Sequence, residues 1–452
     1  SSVTFEPWYE AGAALPKPLT IDEIHDLVDK YGQAALRCKK AGFDLVEVHG
    51  AGGCLPTNFL SPNDNQRNDM YGGSLHNRMR FLVEIVRSIK KYCGNNYPIS
   101  IKLSIDDCEP NGIRVEETVE VAKVLEKEGV SMLNLMMGTH AVVYPSTGFY
   151  DINIYLSQAK QIKDAVQIPC MVGLGVQTAS LAESILESGQ GDFIALAKQE
   201  IADCNWPNKV KNNQEDDIRP CISCHFGCLA RIFQVDMKTM SSKDISCALN
   251  PRCGMENHYN ITKADVIKKV AVVGGGIAGM EAARVAALRG HSVDLYEKTD
   301  RLGGVFNEAS AFDFKDDDRR LLAWYKKQIK DAGVNVKFNT EFKVEDKANY
   351  DVVFVATGAS EKRLDNIPGF DQPNVRYAVD VLDKQDIKDQ NVVIIGGGLT
   401  GCELAYDLAR KNKKVSVVEA LPTIMNVEGL AAPNYNMLVE LMEYYHVDLY
   451  KN

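Results

Sequence analysis

Residues 269–304 read KVAVVGGGIAGMEAARVAALRGHSVDLYEKTDRLGG, and this stretch decides how the second half of the chain folds. An apolar strand runs into Gly274-Gly275-Gly276-Ile277-Ala278-Gly279, and a helix-forming run follows. In such a turn Gly274 permits the tight bend, Gly276 lets a pyrophosphate approach the backbone, and Gly279 lets the helix pack on the strand. The helix N-terminus then presents N–H donors to the phosphate. Eighteen residues past Gly279 the next strand, SVDLYE, ends in Glu297, placed to accept hydrogen bonds from ribose hydroxyls. Strand, glycines, helix and terminal acid in register point to a dinucleotide fold rather than an ordinary glycine-rich turn.

Further along, the same logic recurs. Strand NVVIIG leads into Gly396-Gly397-Gly398-Leu399-Thr400-Gly401, then a helix, then strand KVSVVEA with Glu419. A carboxylate there accepts a free 2′-hydroxyl and repels a 2′-phosphate. NADH is therefore expected over NADPH, although a nearby Arg would readmit NADPH. Around the first loop, Arg301-Leu302-Gly303-Gly304 and VFVATGA (residues 353–359) resemble the FAD-domain signatures of flavoproteins with two dinucleotide sites. FAD is thus expected at the first loop and NADH at the second.

Toward the N-terminus lies Cys221-Ile-Ser-Cys224-His-Phe-Gly-Cys228, with Cys247 in SCALNPRCG after an interval of 18 residues. Three closely spaced thiolates plus one distant partner suit a [4Fe–4S] cube. Zinc is the competing metal, although structural zinc usually draws on paired knuckles. Cys253 falls outside the register. With twelve Cys in the chain, such a ligand set favours a reducing cytoplasm over a disulfide framework.

The first half alternates short apolar strands with amphipathic helices, the pattern of a parallel α/β layout. Strands are expected at Phe43–His49, Ile99–Leu103, Met132–Met137, Cys170–Gly173 and Phe193–Ala197, with helices over Glu116–Glu128 and Leu181–Ser188 between them. Five strands do not close a barrel that needs eight. The expectation is therefore a fragment holding the last five strands of a (β/α)8 TIM barrel. The domains expected are the C-terminal part of that barrel over 1–215, an iron–sulfur segment over 216–262, the first part of a Rossmann-like FAD domain over 263–389, and an incomplete NAD domain over 390–452.

Bulk properties narrow the partners. Lys and Arg number 51 against 61 Asp and Glu, a net charge of −10 with no basic stripe, which argues against nucleic acid and anionic membranes. No apolar run approaches the roughly 18 residues needed to span a bilayer, and the chain opens Ser-Ser-Val-Thr without an apolar signal region.

Taken in order, these pieces resemble the iron–sulfur branch of the old yellow enzyme family, the dienoyl-CoA and enoate reductases among them. The most specific stretch is residues 42–81, with VEVHGAGG, NFLSP and NQRNDMYGGSLHNRMRF; CISCHFGC and SCALNPRCG add to it. The resemblance implies that NADH reduces FAD, the cluster passes single electrons, and FMN in the barrel donates hydride to a conjugated C=C bond, a division of labour in which the protein binds, orients and insulates. It places Lys102 where the family usually has an Arg beside the flavin. It also places Gly175 and Lys198 on the FMN phosphate loops, where Lys keeps the charge of the usual Arg and loses its fork. His49 matches the substrate-contacting His of many relatives, and a strand-end His suits that work. The expected second donor is Gly52, and the usual proton-donating Tyr is Cys54. His140 matches a His near the substrate in dienoyl-CoA reductases and is the alternative acid to Cys54. Asp69, Asn77 and Arg78 are expected to brace the barrel rim. Two other readings stay open: an amine-type dehydrogenase running electrons outward, and an NADH-to-acceptor electron-transfer module with an impaired barrel. The implied substrate is a small unsaturated molecule, with a homo-oligomer possible by analogy.

Overall fold

Thr20 opens the first described helix by a reciprocal cap. Its hydroxyl accepts the Glu23 N–H at 3.2 Å while the Glu23 carboxylate accepts the Thr20 N–H at 2.8 Å, so two end donors are satisfied at once. The computed structural model describes residues 17–139, 147–233, 235–236, 241–361, 366–384 and 387–452. Its internal contacts divide it into two units, Ser1–Leu196 and Ala197–Asn452.

In the first unit that helix, α1 (Ile21–Lys40), precedes β1 (Val46–Gly50), and the βα alternation continues with α2 (Arg80–Cys93), β2 (Ile99–Ser104), α3 (Val115–Lys127), β3 (Met132–Met136), α4 (Ile152–Ala165), β4 (Cys170–Val172), α5 (Ala179–Glu187) and β5 (Phe193–Ile194). The five strands are parallel and lie in the sheet in chain order. Each strand beside its predecessor, with no reversal of order, is the sequence of a (β/α) barrel wall; a doubly wound sheet carries a switch point. Strand side chains alternate between faces. Val48, Ile99, Ile101, Leu103, Leu133, Leu135 and Val172 are buried on one face. Gly32 lets α1 approach α2 closely, since a Cβ there would lie 2.4 Å from the Ser88 hydroxyl and 2.5 Å from the Tyr92 ring. Strand β1 starts at Val46 rather than Phe43, because Phe43 is occupied in closing α1: its N–H donates to Cys38 O at 3.2 Å.

The second unit holds two parallel sheets. In the first, β6 (Lys269–Val273), β7 (Ser292–Tyr296), β8 (Asn335–Lys337) and β9 (Val352–Val355) are ordered β8-β7-β6-β9, with α6 (Ile277–Leu288) and α7 (Asp316–Asp331) between them in sequence. Their core gathers Val270, Val272, Leu295, Leu321 and Tyr325 around Met280 and Ala283. In the second sheet, β10 (Asn391–Ile395), β11 (Lys414–Glu419) and β12 (Asp448–Lys451) are joined through α8 (Leu399–Arg410) and α9 (Ala432–Tyr444). Both begin βαβ, as their glycine patterns require. Between the two parts, Lys315 pairs with Glu403 at 2.6 Å and lies 3.7 Å from Asp318, and both carboxylates are buried. Among the described residues no helix is long and apolar enough to cross a membrane.

Candidate active site

Register decides what the first sheet presents. His49 pairs with Lys102, Lys102 with Asn134, Asn134 with Met171 and Met171 with Phe193, so these five form one cross-strand row on a single face. The row before it carries Glu47, whose carboxylate accepts the Ser100 hydroxyl at 2.9 Å and the Asn134 amide at 3.1 Å. Beyond it, the Ser104 hydroxyl accepts the Gly52 N–H at 3.0 Å and donates to Gly138 O at 3.1 Å. One side chain thus ties the loops after β1 and β3 to the end of β2. Cys54 caps the short helix Leu55–Leu60. Burial pushes its thiol above the ordinary value, and the nearby Lys102 charge only partly offsets this. A thiol so held keeps its proton at neutral pH. Lys102 thus lies next to His49 across the strands, and its charge is felt at Cys54. Gly175 sits in the loop after β4 with φ +88. His140 lies outside the described residues. At the rim, the buried Arg78 guanidinium donates to Leu60 O and to Gly73 O and pairs with Glu117, while the Asn77 amide donates to Gly72 O. Asp69 pairs with Arg67 and accepts the Tyr71 N–H at 3.0 Å. These are bracing contacts, as expected.

The segments that carry the four expected ligand thiols, Cys221, Cys224, Cys228 and Cys247, meet by backbone approach. Ser246 N–H donates to Gly227 O at 2.8 Å, and a Cβ on Gly227 would lie 2.8 Å from Ser246 O. Only glycine lets the 221–228 turn reach the loop that carries Cys247. Ser223 N–H points at Cys221 Sγ and Leu249 N–H at Cys247 Sγ, each at 3.4 Å. Burial pushes Cys221 up to about 11, against the lowering influence of Lys198, and Cys221 and Cys224 both feel the charge of Cys247. Among the described residues no three Cys, His, Asp or Glu converge tightly enough to hold a single metal ion. The donor set, four thiols with N–H groups aimed at two of the sulfurs and a half-buried Lys198 nearby, has the chemistry that an iron–sulfur group uses. Lys198 belongs to this environment: its Nζ lies 3.0 Å from His225 Nε2, and His225 Nδ1 lies 2.6 Å from Asn434 Oδ1 on α9. Burial holds the Lys198 ammonium below its ordinary value, with Cys221 the foremost opposing charge.

The two glycine loops have matching geometry. Gly274 and Gly396 both adopt φ +106, a region closed to ordinary side chains. A Cβ on Gly279 would lie 1.8 Å from Gly274 O, and one on Gly401 would lie 2.0 Å from Gly396 O. The third glycine is therefore a packing requirement. Gly276 and Gly398 have open space where a Cβ would be, as an approaching ligand needs. Gly303 pairs with Gly276, and a Cβ on Gly304 would lie 3.2 Å from Gly276 Cα, so the RLGG loop lies along the first turn. The middle glycines were not singled out from sequence, yet they set the acids. Gly275 N–H donates to Glu297 at 2.8 Å and Gly397 N–H to Glu419 at 2.7 Å. Burial works to raise the Glu297 carboxyl, but hydrogen bonds from Thr299 and Gly275 outweigh it and leave it below the ordinary value. The Leu421 and Gly397 N–H groups lower Glu419 in the same way. The repeated Gly-Gly-Gly triplet was the available signal for these two.

Comparison with known proteins agrees with this construction. Residues 6–217 match the NADH:flavin oxidoreductase / NADH oxidase family, and residues 240–349 and 268–449 match the pyridine nucleotide-disulphide oxidoreductase family. The chain is 39% identical to cinnamate reductase of Clostridium sporogenes, over 96% of this chain and 67% of that protein. It is 42% identical to NADH oxidase of Thermoanaerobacter brockii, over 90% of this chain and 63% of that one. The structure of 2-naphthoyl-CoA reductase in complex with 2-naphthoyl-CoA superposes with a TM-score of 0.88 at 32% identity, covering 96% of this chain and 66% of that one. The chain belongs to the NADH:flavin oxidoreductase / NADH oxidase family of old yellow enzyme-like flavoproteins, joined to a pyridine-nucleotide oxidoreductase domain. It spans about two thirds of the length of these relatives.

Proposed function

We propose that the chain serves an NADH-dependent ene reductase, in which reducing equivalents enter at the Gly396–Gly401 loop and leave at the barrel sheet toward a conjugated enoate or enoyl-CoA. The observation that carries this reading is the four-thiol segment, gathered by backbone contact in the same unit as two intact dinucleotide turns. The bound groups supply hydride acceptance at FAD, single-electron carriage at a [4Fe–4S] cluster and hydride donation at FMN. The chain supplies the rest. Gly274, Gly276 and Gly279 shape the FAD turn, with Glu297 aimed at the ribose and Gly303 and Gly304 alongside. Gly396, Gly398, Gly401 and Glu419 do the same for NADH. Cys221, Cys224, Cys228 and Cys247 are the iron ligands. Lys102 sets positive charge beside the flavin, and Gly175 and Lys198 belong to the FMN phosphate loops. His49 orients the substrate carbonyl, and Cys54 or His140 delivers the proton. The names of cinnamate reductase and 2-naphthoyl-CoA reductase support an unsaturated, conjugated acid or thioester as substrate.

A second reading, an NADH-to-acceptor electron-transfer module, is favoured by the likeness to an NADH oxidase and by Gly52 and Cys54 standing where relatives carry donors. Anaerobic NADH oxidation separates the two. The ene-reductase reading expects FAD, FMN and about four irons per chain, with NADH consumed when cinnamate or an enoyl-CoA is added. Cys221→Ser should lose iron while keeping FAD. Consumption of NADH with dyes and none with any enoate assigns the module, and iron-free protein ends the relay altogether.

A further inference from the structure

A cavity of about 470 Å³ in the second unit is lined by no residue of either glycine turn. Its wall carries Arg219, Arg252, Arg284, Arg289 and Lys209. In a chain of net charge −10 this is a local concentration of positive charge. Only two carboxylates share the wall, Asp203 and Glu281. Asp203 is already taken by Lys209 at 2.6 Å and the Arg219 N–H at 2.9 Å, and Glu281 by Arg284 at 2.7 Å.

The guanidinium groups are held in place before any ligand arrives. Arg219 is 7% exposed; its Nη1 donates to Leu249 O at 2.6 Å, and its guanidinium lies 4.7 Å from the Trp324 ring centre. Arg284 lies 5.4 Å from the same ring. Trp324 is itself fixed by donating its indole N–H to Asp217 O at 3.0 Å. Arg219 Nε and Arg252 Nε are buried N–H groups with no acceptor. An unmet buried donor is costly, more so on a charged group. Two in one wall, on pre-oriented guanidinium forks, make an arrangement that a ligand with several anionic oxygens completes. The volume suits a small molecule of nucleotide scale, well beyond a lone inorganic ion.

We infer that this cavity binds a diphosphate-bearing small molecule, held by Arg219, Arg252 and Arg284 with Arg289 at the mouth. The site adjoins the thiol segment covalently. Arg219 lies two residues before Cys221, and the carbonyl it holds, Leu249 O, lies two residues after Cys247. A bound diphosphate would hold the two thiol-bearing segments together.

Calorimetric titration of the flavin-loaded protein tests this, with NAD⁺ kept saturating so that the Gly396–Gly401 turn is filled. Pyrophosphate and ADP are the probes. One saturable site per chain is expected, weakened at least about tenfold, the effect of roughly 1.4 kcal/mol, in both Arg252→Gln and Arg289→Gln. The exposed Arg289 serves as the variant least able to disturb folding, and an unchanged flavin spectrum checks both. Binding of both probes assigns the site to the diphosphate group itself, and binding of ADP alone assigns it to the nucleotide; either supports the inference. No saturable binding, or affinity unchanged in both variants, overturns it.

Discussion

Gly401→Ala should cripple NADH binding while leaving FAD in place. The added Cβ would sit 2.0 Å from Gly396 O, where real contacts stay beyond 3.0 Å. Helix α8 must therefore withdraw from the turn by about 1 Å, and the obstructing atom is backbone, which cannot rotate aside. In the free protein the helix relaxes outward. Binding the pyrophosphate requires the native turn, so the overpacking cost, about 1–3 kcal/mol, reappears as lost affinity. That corresponds to NADH binding weakened roughly fivefold to 150-fold. Anaerobic stopped-flow reduction of the flavin at increasing NADH gives the apparent Kd. The mirror variant Gly279→Ala carries a tighter overlap of 1.8 Å at the other turn, and it should lose FAD instead. If Gly401→Ala binds NADH as the parent does, the third glycine is not the packing element described above. If it sheds FAD, the two turns have been assigned the wrong way round.

Two further outcomes concern buried charge. Asp107 is fully buried, and burial pushes its carboxyl from 3.8 up to about 6. Its protonated form is thus the one the fold prefers. The group imposes no penalty below about 4, and the penalty grows as pH rises and is complete above about 6, where it reaches about 3 kcal/mol. Asp107→Asn should remove that slope and raise stability at neutral pH, because the amide oxygen still accepts the Ile113 N–H; urea melts across the window check this, and an unchanged slope rejects it. Lys315→Met strands Glu403 and Asp318 as buried carboxylates without their cation. A loss of about 3 kcal/mol is expected, seen as a lowered Tm, and a change below about 1 kcal/mol would show that the pair is already solvated.

Much of the architecture was readable because it rests on local geometry. The glycine turns, their following helices and the acids at the strand ends are each dictated by backbone clearance within some twenty residues, so Gly274 to Glu297 and Gly396 to Glu419 stand where their spacing places them. The five barrel strands followed from short apolar runs alternating with amphipathic helices. Their edges did not, because the end of β1 is settled by how α1 closes over Phe43, a contact no periodicity encodes. The sites were legible in proportion to how close their parts lie in sequence. The Cys221–Cys228 turn announces itself, but the role of Gly227 depends on Ser246, eighteen residues past the turn. Lys198 reads as a strand-end phosphate ligand; its neighbour His225, and the Asn434 that His225 contacts, come from later segments that only the folded chain brings near. The arginine cavity had no signature at all, since its residues are scattered from 202 to 328 and each arginine alone reads as a surface charge.

The pinning of Glu419 has a consequence for how readily this enzyme family can change its coenzyme. Because the carboxylate proposed to face the ribose also anchors the Gly397 and Leu421 amides, removing it to admit a phosphorylated ribose would also slacken the turn proposed to grip the pyrophosphate. Coenzyme choice and loop integrity are thus mechanically linked, and a lineage switching preference must rebuild the anchor elsewhere as it surrenders the charge.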